Sequence, residues 1–169
     1  MALTSDFSMS ASGLYTKTAD LETPSAELSW RRTVHLDSGT GAGKADLRFT
    51  DTRTLAASAT EDLDLAGSLL DAFGAALTFV RVKGIFISAA AANTNNVVIG
   101  AAAANPWIGL LNATGTITLR PGASVSATSG VADATCMAVT AGTGDLLKVA
   151  NSAAGTSVTY DIVIVGASA

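Results

Sequence analysis

Charge is scarce in this sequence, above all in its second half. Charged residues make up 14% of the 169 residues, against roughly 25% in an ordinary soluble domain. Residues 85–169 hold only two basic and three acidic side chains. A small domain cannot hide most of its surface within itself. We therefore expect this half to expose an uncharged surface or to bury it against other chains, since charge depletion marks interface cores.

Basic residues are outnumbered, and long apolar runs are missing. Ten Lys and Arg face fourteen Asp and Glu, for a net charge of −4, so binding of nucleic acid through a basic face is not expected. The most apolar window, residues 85–104, is broken by the polar run 93–96, and a spanning helix needs about 18 unbroken apolar residues. The first residues lack the basic and apolar regions of a secretory signal. We expect no membrane partner.

Residues that perform chemistry are also few. Cys136 is the only cysteine and His35 the only histidine, so a disulfide within the chain is excluded, and the clustered spacing of a zinc site is absent. The glycine-rich stretch 39–43 leads into Lys44-Ala45, which lacks the hydroxyl residue of a phosphate loop. The sequence predicts a protein that is not an enzyme, without catalytic, cofactor-binding or metal-binding residues.

An acidic cluster is the one candidate for binding an ion. Glu61, Asp62 and Asp64 are the densest group of carboxylates. Their spacing does not match a calcium-binding loop, and a solvated strand face is the simpler interpretation. The sequence leaves ion binding at this cluster open.

What the sequence does contain is the pattern of β-structure. Nine or ten segments rich in β-formers recur about every ten residues between turn signals. This spacing predicts an all-β fold, an antiparallel jelly-roll-like sandwich, with at most one short helix near residues 66–73. Segments 29–36 and 45–50 read as a hairpin. Segment 78–88 reads as a long strand whose first half exposes Arg81 and Lys83.

The predicted organisation is an arm followed by one domain. Residues 1–27 show no sustained period and are interpreted as an extended arm or weakly structured lead-in, and residues 28–169 form the sandwich. Two similar alanine-rich segments, 87–93 and 99–105, are interpreted as paired strands with bare ends that allow close subunit contact. Trp107 either anchors in a neighbouring subunit or covers its own sheet. The candidate interface residues are Pro24, Ala89, Ala90, Ala101, Ala102 and Trp107.

Two long segments carry a resemblance to a known class of protein. RTLAASATEDLDLAGSLLDAFGAALTFVRVKGIFIS at residues 53–88, and TGTITLRPGASVSA followed by VTAGTGDLLKVANSAAGTSVTYDIVIVGAS within residues 114–168, resemble small β-rich virion proteins of tailed bacteriophages. The resemblance is to capsid decoration, or cement, proteins. It implies a homotrimeric sandwich, made in the host cytoplasm, that binds the major capsid protein at the surface of the phage head and stabilises the shell.

Two other functions stay open at this stage. One is a tail, neck or fibre-base component of the same virion. The other is a carbohydrate-binding sandwich, whose only plausible platform residues are Trp30, Trp107 and Tyr160. The symmetry of the assembly is not readable from the sequence.

Overall fold

The computed structural model describes residues 2–169, which form eleven β-strands. The strands are β1 (Ser5–Thr16), β2 (Ser25–Ser38), β3 (Lys44–Ala45), β4 (Leu47–Leu55), β5 (Thr60–Asp64), β6 (Arg81–Ala89), β7 (Val97–Gly100), β8 (Thr116–Leu119), β9 (Ser124–Thr128), β10 (Leu146–Asn151) and β11 (Val158–Ala167).

Eight of these strands form two four-stranded sheets that share one core. The first sheet has the order β4-β11-β6-β9 and the second the order β5-β10-β7-β8, and within both sheets all pairs are antiparallel. One hydrophobic cluster contains buried side chains from both sheets. The predicted all-β antiparallel sandwich is confirmed.

From β4 onward, strands that follow each other along the chain lie in different sheets, except β7 and β8, which pair in the second sheet. The pairs β4 and β5, β6 and β7, β8 and β9, and β10 and β11 each divide between the two sheets. The two alanine-rich segments therefore do not pair as predicted, because β6 bonds to β9 and β11 while β7 bonds to β8 and β10. The Pro121-Gly122 turn likewise carries the chain from one sheet to the other.

Period-two alternation places the core side chains. In β11, Val158, Tyr160, Ile162 and Ile164 are buried on one face while Asp161 is exposed on the other. Residues 66–73, near which at most one short helix is predicted, form turns instead. Leu70 and Ala76 make an antiparallel bridge, and Asp71 Oδ1 accepts from the backbone N–H groups of Phe73 and Ala75, both at 2.8 Å. This Asx-type bonding competes with helix formation.

A β-bulge corrects the expectation for Lys83. Gly84 lies opposite Val165, but Val82 lies opposite Gly166, so Lys83 is the extra residue on its strand. The side chain of Lys83 is fully buried, and its Nζ donates to the backbone oxygen of Asp133 at 3.1 Å. Alternation alone cannot predict this burial, since a bulge shifts the phase of the strand.

The N-terminal residues form a long antiparallel hairpin. β1 and β2 pair over their full length, from Ser5 opposite Leu36 to Thr16 opposite Ser25. The predicted hairpin of 29–36 with 45–50 is wrong: β2 pairs with β1, and β4 pairs with β11. β2 runs without a break across the expected boundary at residue 27. We call residues 8–33 of the hairpin the arm, and the rest of the described chain the body.

A polar network ties the two sheets together at the β4–β5 edge. The buried Tyr160 hydroxyl donates to Glu61 Oε1 at 2.7 Å, and Arg53 contacts Glu61 Oε2 through Nε at 2.7 Å and through its second terminal nitrogen at 2.6 Å. Burial raises the pKa of Tyr160, and the hydrogen bond to Glu61 raises it further, so the phenol stays a donor. Glu61, on β5 of the second sheet, therefore accepts from two side chains of the first sheet.

We predict that Glu61→Ala lowers the free energy of unfolding by about 2 kcal/mol, because it leaves the buried Tyr160 hydroxyl without its acceptor and the half-buried Arg53 guanidinium with only its contact to Asp51. The matched control is Asp62→Ala, the next acid on the same strand but exposed, which should change stability by less than about 0.5 kcal/mol. Urea denaturation measures both. Equal effects of the two variants would contradict the assigned role of Glu61.

Candidate interaction surface

The arm separates apolar from polar side chains on its two faces. Because opposite residues in an antiparallel pair point to the same side, the strand register assigns each residue to a face. One face carries Arg32 at its body end and the following residues, which we call the apolar arm face: Met9, Ala11, Gly13, Tyr15, Ala26, Leu28 and Trp30. The other face carries mostly serine, threonine and charged residues: Ser8, Ser10, Ser12, Leu14, Glu27, Ser29, Arg31 and Thr33.

The apolar arm face is open to solvent. Every residue from Ser10 to Thr33 is exposed; Tyr15 retains 79% of its accessible surface, Leu28 57% and Trp30 50%. A two-stranded ribbon on its own is only marginally stable in water, and contiguous exposed apolar surface marks interaction sites. This face is therefore the strongest candidate for contact with another molecule.

The same face is anchored to the body at the base of the hairpin. Val34 and Leu36 are buried there with Ala45 and Val165, and Phe7 packs against this cluster. The Phe7 ring occupies the space that a side chain at Gly84 would need: a Cβ there would lie 2.3 Å from the ring. The outer face of the β4-β11-β6-β9 sheet thus seats the hairpin base, and the apolar arm face continues beyond that seat.

Charged residues on the polar side clamp the base. His35 Nδ1 contacts Asp6 Oδ1 at 2.7 Å, and His35 Nε2 contacts Asp37 Oδ1 at 3.3 Å. The hydrogen bond to Asp6, then that to Asp37, raises the pKa of His35. Protonated His35 therefore links β1 to β2 where the arm leaves the body.

The predicted interface residues lie in different environments. Pro24 is exposed near the tip of the hairpin, and its backbone oxygen accepts from Lys17 N at 3.1 Å. Ala90 and Ala101 are half-buried, whereas Ala89 and Ala102 are buried within the chain. Trp107 is also buried, and its Nε1 donates to the Ala138 oxygen at 3.0 Å. Two environments were predicted for Trp107, a neighbouring subunit or its own sheet. Trp107 packs within its own chain.

The sparse reactive residues do not converge on a catalytic arrangement. His35 is bonded at the base of the hairpin, while Cys136 is buried with its Sγ 3.5 Å from the Val82 oxygen. Glu61 is engaged by Tyr160 and Arg53, and Asp64 Oδ1 accepts from Ala66 N at 2.8 Å. Within residues 2–169, no group of three His, Cys, Asp or Glu side chains is arranged to hold a metal ion.

The pairing of the arm and its apolar face were not predicted from the sequence. The signal was present: Phe7, Met9, Ala11 and Gly13 alternate strictly with serines at 8, 10 and 12, which is the period of a strand with one apolar face. The small side chains on this face weaken the pattern, because alanine and glycine have a low preference for strands. On β2, Ala26, Leu28 and Trp30 repeat the same period.

We predict that the His35 clamp tightens as the pH falls. Because its pKa in the folded protein is raised above the ordinary 6.5, its contribution is fully present below 6.5 and is lost as the pH rises through the raised value. NMR titration should give His35 a pKa above 6.5, returned toward 6.5 by Asp6→Asn and less strongly by Asp37→Asn. An unshifted pKa in the unmodified chain would contradict the clamp.

Comparisons with known proteins add no assignment. Among residues 2–169 the structure has no helix long and apolar enough to cross a membrane. No protein-family model, curated protein or solved structure matches this chain.

Proposed function

We propose that this chain is a structural virion protein of the capsid decoration type, which binds the assembled phage head and stabilises it. The observation that carries the proposal is the arm, an exposed ribbon with one apolar face. A sheet rise of about 3.4 Å per residue makes residues 8–16 about 30 Å long. A body of about 140 residues has an expected radius of gyration of about 14 Å. The arm can therefore reach across a neighbour in an assembly.

The outer faces of the body support an assembly role. On the first sheet the outward side chains of the edge strand β4 include Thr50, Thr52 and Thr54, and those of β9 include Ser124 and Ser126. On the second sheet, Val98 and Ala150 lie side by side, and Thr118 lies next to Val98. These small uncharged side chains leave little charge to desolvate where another surface covers them. The same outer faces also carry the charged residues Arg48 and Asp161 on the first sheet and Asp62 and Lys148 on the second.

The strand order supports the same class of function. Eight strands lie in two sheets of four, and each strand is followed by one in the other sheet except β7, which pairs with β8. This order fits a jelly roll, and we class the body as one. Viral capsid proteins and lectins use this architecture, so the topology favours a virion role without deciding it. A partner that binds only the assembled shell shifts the assembly equilibrium toward the shell, which is the stabilisation we propose.

The carbohydrate-binding alternative loses most of its basis. Of its three platform residues, Trp107 and Tyr160 are 4% and 0% exposed, and only Trp30 is accessible, at 50%. Tyr160 is further held by Glu61. A sugar platform at Trp107 or Tyr160 would require the core to open.

A tail, neck or fibre-base role uses the same surfaces and differs only in the partner. The sequence-based expectations of a homotrimer and of the major capsid protein as partner remain part of the proposal. Binding to purified heads separates the two roles.

The test is co-sedimentation with purified phage heads that lack this protein. The variant replaces residues 10–31 by an Asn-Gly turn, which joins Met9 to Arg32, two residues that lie opposite each other, and retains the anchored base. We expect the body to fold with an unchanged circular dichroism spectrum and head binding to fall at least tenfold.

A full-length chain that fails to bind heads but binds isolated tails would overturn the decoration role in favour of the tail role. Unchanged head binding by the folded, shortened variant would overturn the role of the arm.

A further inference from the structure

One acid of the body is buried without a complete set of partners. Asp145 directly precedes β10 and is 6% exposed, which makes it the only buried acid among residues 2–169. Its Oδ2 accepts from the backbone N–H of Gly142. Its Oδ1 is the only buried side-chain oxygen or nitrogen in the described part of the chain that has no hydrogen-bond partner. A buried carboxylate in this condition is costly unless another group balances it.

No basic side chain of residues 2–169 supplies that balance. None of the ion pairs in this part of the chain includes Asp145. The lysine nearest to it along β10 is Lys148, which lies opposite Asp62 on the outer face of the second sheet. Asp145 has the opposite parity, that of the buried Leu147, and therefore faces inward. The negative charge of Asp145 is left uncompensated by these residues.

The carboxyl group of Asp145 is folded back over a tight turn. The turn comprises residues 140–144, and two backbone hydrogen bonds between Thr140 and Gly144, at 2.8 and 3.2 Å, close it. Because Oδ2 is bonded to the N–H of Gly142, in the middle of this turn, Oδ1 lies over the turn as well. The backbone oxygens of residues 141–143 accept no hydrogen bond from residues 2–169. The turn therefore offers uncommitted oxygens beside the uncompensated charge.

A second segment, residues 105–107, runs beside the same turn. The backbone oxygen of Asn105 accepts from the N–H groups of Asp145 and Leu146 at 3.1 and 3.0 Å. The backbone oxygen of Pro106 lies 3.8 Å from the position that a Cβ on Gly144 would take, and it accepts no hydrogen bond from the described residues. Free carbonyl oxygens of two segments thus lie near one carboxylate.

We propose that this end of the sandwich binds a calcium ion, with Asp145 Oδ1 as the charged ligand and backbone oxygens of residues 106 and 141–143 as the neutral ligands available to it. Ca²⁺ accepts carboxylate, carbonyl and water oxygens in flexible geometry, so such a site does not need three acidic side chains. A cation gives Oδ1 a partner and also balances the charge, whereas a water molecule gives only the partner. With one carboxylate, we expect a Kd of about 10⁻⁴ to 10⁻³ M. The site does not depend on the proposed function.

The first experiment is thermal unfolding of the full chain, freed of metal ions by a chelator, at constant ionic strength. Calcium chloride is added up to about 10 mM, roughly ten times the weakest expected Kd. A ligand that binds only the folded chain raises the Tm by mass action, and for a chain of this length we expect a saturating rise of about 3 to 5 °C. The absence of a saturating rise would overturn the proposal.

Asp145→Asn removes the charge and keeps an oxygen for the Gly142 N–H. We expect this variant to lose the calcium-dependent rise and, in chelator, to unfold at or above the Tm of the unmodified chain, because the uncompensated charge is gone. The matched control is Asp64→Asn, which also keeps an oxygen for a backbone N–H, that of Ala66, and should retain the full rise. Loss of the rise in Asp64→Asn with its retention in Asp145→Asn would move the ion to the acidic cluster and overturn the assignment.

Terbium luminescence locates the ion in the folded chain. Tb³⁺ has the oxygen preference of Ca²⁺, and a nearby tryptophan sensitises its emission. The chain has two tryptophans. Trp107 N donates to the oxygen of Leu146, the residue after Asp145, at 2.9 Å, whereas Trp30 lies on the arm. We expect sensitised emission that calcium competes away, that persists in Trp30→Phe and that is lost in Trp107→Phe. Emission that is lost in Trp30→Phe would overturn the proposal.

Discussion

The burial of the C-terminal half of β11 on both of its faces is the constraint on which the rest of the structure depends. Its core face, from Val158 to Ile164, closes the sandwich, and it pairs along its length with β4 and β6. On its outer face, Val165 is buried under the base of the hairpin. A strand covered on both sides must be apolar on both sides, which explains why residues 162–165 form the unbroken run Ile-Val-Ile-Val.

The double burial of β11 links the arm to the fold. Phe7 lies over Gly84, on the strand next to β11, so the seat of the hairpin consists of residues that the sandwich has already ordered. Packing against the body therefore offsets the conformational entropy that is lost when the base of the hairpin becomes ordered. Beyond the base of the hairpin, the apolar side of the ribbon is exposed to solvent. The conformational order of the ribbon therefore depends on what covers this side.

The polar contacts of this chain are consistent with the proposed role in assembly. Its buried polar groups are used to hold loops and sheets. Asn95 donates to Asn151 Oδ1 at 3.0 Å and to the Ala153 oxygen at 2.9 Å, and Glu61 joins the two sheets. Such satisfied networks rigidify a fold. A rigid, charge-poor body with one extended apolar ribbon suits a protein that adds contacts to a larger shell.

Local sequence pattern is enough to determine the strands, the turns and the depletion of charge, because period-two alternation and turn residues act over a few neighbours. Most of β5 to β11 lies where alternation predicts a strand. Pairing is decided over long separations: β4 finds β11 more than a hundred residues away, and β8 and β9 divide between sheets although only a tight turn separates them. The bulge that buries Lys83 arises from the same long-range register, as does the burial of Trp107 in its own chain.

The apolar arm face depends both on local alternation and on long-range register. Its alternation is written in each strand, but only the register of β1 against β2 puts Trp30 beside Ala11 and Leu28 beside Gly13.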